Sequence, residues 1–424
     1  MVCAAAWGCT EKISTAPDLG FLKVDPRTVE AIIPFADFVD DVQVFGGYGS
    51  VVDLGRGFVA QDFGGLNART LVHVGDYPTT VEQASGIAGG RVVLFFDTLR
   101  GTLDDPVFLE VFGVHEQWHP PSVTWEVVVD TAGDRREWSQ PGGGVPTLLG
   151  GAVFSVFAGR DEENDLTDEE VALTDSVSIS VDSATVVALG GSTGGMTGLL
   201  VATARPGTLL HLLDVRLRIT TQVSEVPDSV FEVRLEDLSF IFDPAPTAPQ
   251  GWLRVGGTPA WRSVLTMSIP RTITGTPEVC GAVGCEVDLT EVDLNLAELV
   301  LTTRQTEPAF QPQDTMGMDV REVLRPELLP KSPLGGVFLP FARTLAPELF
   351  SIQAGTQVSL AVTFLVRGVL DIAAQTDTVP VTSIALFSIP EPNIIGFASF
   401  EGAGGAGAPA LRLLYTIANP VGLP

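Results

Sequence analysis

Residues 107–126 read VFLEVFGVHEQWHPPSVTWE, and how this stretch folds decides the class of the whole chain. His115-Glu116-Gln117-Trp118-His119 spells the H-E-x-x-H of zinc proteases, which works only on a helix, where i, i+4 spacing sets both imidazoles on one face. The residues before it, VFLEVFGV, alternate apolar and polar as a strand does, and Pro120-Pro121 follow at once. Proline removes a backbone donor and restricts its predecessor, so no helix able to hold two ligands crosses this boundary. The other histidines, His73 and His211, lie in strand-like segments at no recognised third-ligand spacing. The stretch therefore predicts a strand and a turn.

The same period of two recurs in VTWEVVVD, SVSISVDSATVVAL, FEVRLEDLSFIF, VDLNLAELVLTT and VSLAVTFLV, each bounded by turn residues. Many short alternating strands without helical stripes point to an all-β protein built from sandwiches or barrels. Short helices are expected near DVREVLRPEL (319–328) and TLAPELFS (344–351), each limited by proline.

An internal repeat organises these strands. GGLNARTLVHVGDYP (64–78) parallels GGTPAWRSVLTMSIP (256–270), and RVVLFFDTLRGTLDDPVFLEVFGV (91–114) parallels AELVLTTRQTEPAFQPQDTMGMDV (297–320). The ends also match, TGLLVATARPGTLLHLLDVRLRITT against NIIGFASFEGAGGAGAPALRLLYTI, as do the openings TVEAIIPFADFV and SVFEVRLEDLSF. Two tandem domains are predicted, residues 25–222 and 226–424, joined at SEVPDS and preceded by an N-terminal segment, residues 1–24.

With 424 residues the chain exceeds one ordinary core. Charged residues are 18% of it, with 45 Gly and 30 Pro, and a mean hydropathy of +0.30 marks a well-buried, loop-rich protein. The net charge of -28 repels phosphate, and no Lys/Arg stripe opposes that field locally, which argues against a nucleic-acid partner. No apolar run approaches the roughly 18 residues a membrane helix needs.

Two further motifs carry candidate chemistry. Gly402 to Gly407 is formally G-x-G-x-x-G but leads straight into the strand-like PALRLLYT, so a hairpin loop is expected. The acidic run around Asp161, Asp165 and Asp168 offers hard oxygen ligands to a structural calcium, yet lacks the alternation and central Gly of an EF-hand; a solvated loop is the favoured reading. No other cofactor is expected, and no nucleophile or acid–base pair is marked, so the chain reads as non-catalytic.

The cysteines form two pairs. Cys280 and Cys285 bracket Gly-Ala-Val-Gly between two strand-like segments, which suits a small disulfide and an oxidising compartment, two free thiols being the alternative. Cys3 and Cys9 lie in MVCAAAWGCTEKISTAP, which looks like the end of a bacterial lipoprotein signal with Cys9 as the lipidated residue, although the basic start and most of the apolar region are absent and Ala6 stands where Leu is usual. The resemblance implies a membrane-anchored protein of the periplasm or cell surface. The alternative is an unstructured N-terminus with incidental cysteines.

The tryptophans complete the pattern. Val114-His115-Glu116-Gln117-Trp118, Pro121 to Trp125, and Trp138-Ser139-Gln140-Pro141-Gly142-Gly143, with the Arg-led strand from Ala68, together resemble the signature of the DNRLRE domain family of carbohydrate-binding modules. The second repeat lacks these tryptophans. The resemblance implies two jelly-roll-like antiparallel β-sandwiches, no catalysis, and attachment to polysaccharide or cell surfaces. Its glycan-binding candidates are Trp138, beside the Gly-rich turn, then Trp125 and Trp118. Packing is the favoured reading of these indoles, since large aromatics in a sandwich are more often packing than platform. Two functions follow: a lipoprotein that binds glycan, or an accessory subunit docked on the outer face of a membrane protein complex.

Overall fold

The computed structural model describes residues 26–46, 56–82, 86–102, 105–131, 133–155, 174–190, 195–223, 226–243, 250–257, 260–280, 285–329, 332–336, 343–376, 378–389, 395–404 and 407–418. Its strands, in chain order, open with β1 (Pro26–Pro34) and β2 (Val39–Phe45). Then come β3 (Gly57–Phe63), β4 (Leu66–His73), helix α1 (Thr79–Glu82), β5 (Gly86–Gly101), β6 (Val107–Val114), β7 (Val127–Thr131), β8 (Asp134–Glu137), β9 (Thr147–Phe154) and β10 (Thr174–Val181). Helix α2 (Ser183–Leu189) precedes β11 (Gly198–Thr203), β12 (Thr208–Val223), β13 (Val226–Arg234) and β14 (Glu236–Asp243). The remainder is β15 (Trp252–Val255), β16 (Arg262–Met267), β17 (Thr272–Thr274), α3 (Pro277–Cys280), β18 (Glu286–Asp288), β19 (Asp293–Arg304), β20 (Met316–Glu322), β21 (Arg343–Leu345), β22 (Gln357–Ala361), α4 (Thr363–Thr376), β23 (Thr382–Ile389), β24 (Ala398–Glu401) and β25 (Ala410–Ala418).

The protein is all-β, and its antiparallel sheets form two sandwiches of the same strand order. In the first module the layer β13-β12-β5-β10 faces β14-β4-β11-β6-β9, with β3 pairing both layers at one side. In the second, β1-β25-β19-β22 faces β2-β16-β23-β20-β21. Two layers in this order are a jelly roll with one added strand, β4 or β16. Alternation sets which side chains go inside. On β6, Val107, Leu109 and Val111 join the first core with Val92, Leu94, Leu199 and Leu217, while Phe108 and Glu110 point away from it.

The repeat edges expected from sequence, 25–222 and 226–424, do not coincide with the sandwiches. β1 lies on β25 and β2 on β16, so residues 26–45 belong to the second sandwich. Val29, Ile33, Phe35 and Phe38 sit in its core. Conversely, β13 lies on β12 and β14 on β4, placing Val233, Leu235 and Leu238 in the first core. The opening strand pair of each repeat thus completes the other repeat's sandwich. SEVPDS is accordingly no linker, since Val226 already begins β13. The chain crosses between modules twice, and Phe310 and Ile395 of the second pack against Phe58, Leu66 and Phe240 of the first.

Several local expectations also change. DVREVLRPEL and TLAPELFS form strand ends and short 3-10 turns (Pro326–Leu328 and Pro347–Phe350) because their prolines allow no longer helix. The one long helix among the described residues, α4, begins inside VSLAVTFLV, whose apolar residues fit either period. Leu365, Val366, Val369, Leu370 and Ala373 are buried at helical spacing, and Thr363 Oγ1 accepts from Ala297 N at 3.0 Å to seat its start. In SVSISVDSATVVAL the strand stops at Val181, where Asp182 caps α2 by accepting from Thr185 N at 2.7 Å. The Gly402–Gly407 run does not close a hairpin, for β24 and β25 pair with successive stretches of β19 and not with each other.

Candidate functional site

The outer surface of the first module's β14-β4-β11-β6-β9 layer carries the tryptophan signature. There the side chains of Leu71, Leu200, Ala202, Val114 and Ile241 point away from the core, and residues 115–131 and 133–146 fold back as a cap over them. Trp118 and Trp138 are the cap's keystones, 6% and 5% exposed, packed with Val123, Val128 and Val129. Burying an indole this fully contributes several kcal/mol.

Polar groups fix the cap's course. Trp138 Nε1 donates to Thr124 O at 2.8 Å, and Trp138 N donates to Glu126 O. Glu116 accepts from both the backbone N and the hydroxyl of Ser139, tying the two arms together. Thr197 Oγ1 donates to Glu116 O at 2.7 Å. His115 lies 2.7 Å from Gly195 O through Nδ1, which must donate to a carbonyl, so in the neutral ring Nε2 accepts from Thr147 Oγ1 at 2.9 Å. His119 Nδ1 meets Ser122 Oγ at 2.8 Å. The zinc-protease letters therefore sit in a non-helical turn and act as loop fasteners.

The turn after Trp138 is glycine for two reasons. Gly142, Gly143 and Gly144 have φ of 89, 115 and 73°, and a Cβ on Gly143 would meet Leu200 Cδ1 at 2.4 Å. This close approach lets Gly142 O accept from Arg69 Nη1 at 2.6 Å, and Gly142 N donate to Trp125 O at 2.7 Å. Arg69 also lies over the half-buried Trp125 ring, 4.8 Å from its centroid. Desolvation lowers the pKa of this guanidinium, while Asp243 and Glu110 oppose that shift.

Of the three glycan candidates, Trp118 and Trp138 thus have no free ring face in this fold, and Trp125 shares its ring with a guanidinium. The reason is the apolar underside of the cap, which sequence alone could not distinguish from an exposed platform. Cys9, Asp161, Asp165 and Asp168 lie outside the described residues. Cys280 and Cys285 are disulfide-bonded with Cα atoms 5.4 Å apart. Cys280 ends α3, a helical turn where a strand was expected.

The cap covers only half of this face. Over β6 and β9 it stops, leaving Phe108 51%, Leu148 56% and Val153 61% exposed, with Val145, at the cap's end, 62% exposed. Phe108 pairs with Val153 and Phe112 with Leu148 on this outer face, with the Glu110–Gly151 pair between them and Phe112 packed against the cap's cluster. This strip was not singled out from the sequence. The available signal was the phase of Phe108, which shares the outward parity of Glu110 and not that of Leu109. In comparisons with known proteins, no family model matches the chain and no curated protein matches it.

Proposed function

We propose that this chain is a non-catalytic accessory subunit that docks on a membrane protein complex through the open half of the first module's outer face. The observation that carries the reading is the uncapped strip of Phe108, Leu148 and Val153, with Val145 exposed at the cap's end. Large exposed apolar side chains grouped on one sheet face mark interaction surfaces more often than singly scattered ones do. The Cys280–Cys285 bond supports an oxidising compartment, and lipidation of Cys9 would hold the chain at the outer face of a bacterial membrane. Among the described residues no helix is long and apolar enough to cross a membrane.

Glycan binding, the other function implied by the DNRLRE resemblance, rests on Trp125. Its ring is half-buried, and a sugar stacking there would compete with Arg69.

Native sizing of gently solubilised membranes tests the docking reading, comparing the wild-type chain with Phe108→Asp/Val153→Asp. The wild type should migrate with a large complex, and the double variant alone, at unchanged thermal stability. A wild type that migrates alone and binds a neutral glycan panel in a Trp125-dependent way overturns docking in favour of glycan binding.

A further inference from the structure

We infer that β1–β2 is an exchangeable strand pair through which two copies of this chain assemble. The two openings occupy equivalent slots: β1 and β13 each lie on the last long strand of a sandwich, β25 or β12, and β2 and β14 each lie on the added strand, β16 or β4. Each slot is filled by the strand pair that sequence assigns to the other repeat. That reciprocal connectivity is what results from fusing, end to end, two chains that had exchanged their opening strands. The slots are therefore built to take a strand pair arriving from outside the repeat that forms them.

The contacts made by β1–β2 do not depend on which chain supplies it. Val29, Ile33, Phe35 and Phe38 enter the same core, Arg412 meets Glu30 at 2.8 Å, and Thr28 Oγ1 lies 2.9 Å from Thr416 Oγ1. The closed and exchanged forms then differ in concentration and in the connection to β3, not in packed surface, which is why such swaps are a low-cost route to dimers. The connection, residues 46–56, can extend about 35 Å. Two chains of net charge -28 repel, so salt should favour exchange by screening them.

The test uses full-length chains with Cys3→Ser and Cys9→Ser, leaving the Cys280–Cys285 bond in place. Thr28 and Thr416 are cross-strand partners. A chain carrying both Thr28→Cys and Thr416→Cys should cross-link internally and confirm the pairing. Differently tagged chains carrying only Thr28→Cys or only Thr416→Cys, produced together, should form an interchain 28–416 link. Its yield should rise with protein concentration and exceed by about tenfold that of a pair using Ile352→Cys, on a highly exposed turn, in place of Thr416→Cys. Internal linkage in the double variant without any interchain 28–416 link overturns the inference. Absence of internal linkage overturns the β1–β25 pairing and the inference with it.

Discussion

The two modules solve one problem in different ways: each has an apolar outer face on its β4-type layer that must be covered. The faces correspond residue by residue. Thr70 Oγ1 donates to Phe58 O at 2.9 Å, as Ser263 Oγ does to Arg254 O at 2.8 Å, which aligns β4 with β16. From there Leu71, Val114, Leu200 and Ile241 correspond to Val264, Val323, Ala385 and Phe45. The first face takes a cap with two buried tryptophans, the second a shorter loop that contributes Leu329 and Leu334. Beyond the cap the contrast sharpens. Phe108, Phe112 and Val153 correspond to Gly317, Arg321 and Thr344, and Arg321 pairs with the fully buried Asp319 at 3.1 Å. Among the described residues nothing covers the exposed Phe108 and Val153, and the corresponding positions of the second module are not apolar, which is what a docking surface requires and a merely structural face does not.

The modules also differ in continuity, and the largest predicted effect follows from that. Residues 56–243 hold every strand of the first sandwich, whereas the second needs residues 26–45 as well as 250–418. A fragment of residues 56–243 should unfold cooperatively in a calorimeter. A fragment of residues 250–424 should not, because it lacks the four buried side chains of β1 and its following turn, each contributing about 1.5–3 kcal/mol. A cooperative transition in the second fragment would mean that β1–β2 is ornamental to that core.

Next come the caps. Trp138→Ala should destabilise the first module by about 3–5 kcal/mol, the range for deleting a buried aromatic. Leu334→Ala, in the thinner loop over the partly corresponding surface, should cost the second about 1–2 kcal/mol. Hydrogen exchange resolved by module would report the two separately. Equal losses would show that the tryptophan cap adds no more than the leucine loop and would return Trp138 to the candidate ligand platforms.

Much of this arrangement was legible in the sequence, and what was not has identifiable causes. Period two gave the strands of β6, β13, β14 and β19, and proline placement ruled out a helix at His115, because both signals are local. The repeat was visible as well. Which repeat each opening strand completes was not, since β1 and β13 carry similar alternation and either would suit either slot; partner choice is a long-range property. The helix α4 was read as strand because Val, Phe and Leu in unbroken sequence satisfy both periods. For the site, the cluster of Trp118, Trp125 and Trp138 was legible, but their burial depends on Leu71, Leu200 and Ile241 from three distant strands. The docking strip shows only once the cap's extent is known.

A smaller effect separates conformation from space within the cap. Gly143→Ala meets both a φ of 115° and Leu200, while Gly133→Ala, at the β7–β8 turn, meets only a φ of 87° with nothing within 4 Å. Chemical denaturation should show a loss of about 1 kcal/mol at Gly133 and about 2–3 kcal/mol at Gly143. Equal losses would mean that Leu200 moves aside freely and that the cap is not tightly seated on its face.

The smallest difference is electrostatic and lies on the opposite layers. On the first module Glu232 accepts from both Arg218 Nε and Arg216 Nη1, at 2.8 and 2.7 Å; on the second the numbers invert, with Arg412 between Glu30 and Glu298. Hydrogen bonds from Arg218 and then Arg216 hold the Glu232 carboxyl below its usual pKa. Because the folded value is the lower one, the stabilisation is fully present above the unfolded pKa of about 4.3 and is lost as pH falls through the folded value. Glu232→Gln should therefore speed amide exchange in β13 at pH 6 and change it little at the lowest pH reached. The pair is more than a third exposed, so solvent screening keeps the effect well below that of Trp138→Ala and added salt should shrink it further. A wild-type β13 that exchanges equally fast relative to β1 at pH 6 and in strong acid would show that the shared carboxylate does nothing for the strand it sits on, and that apolar burial alone holds both opening strands.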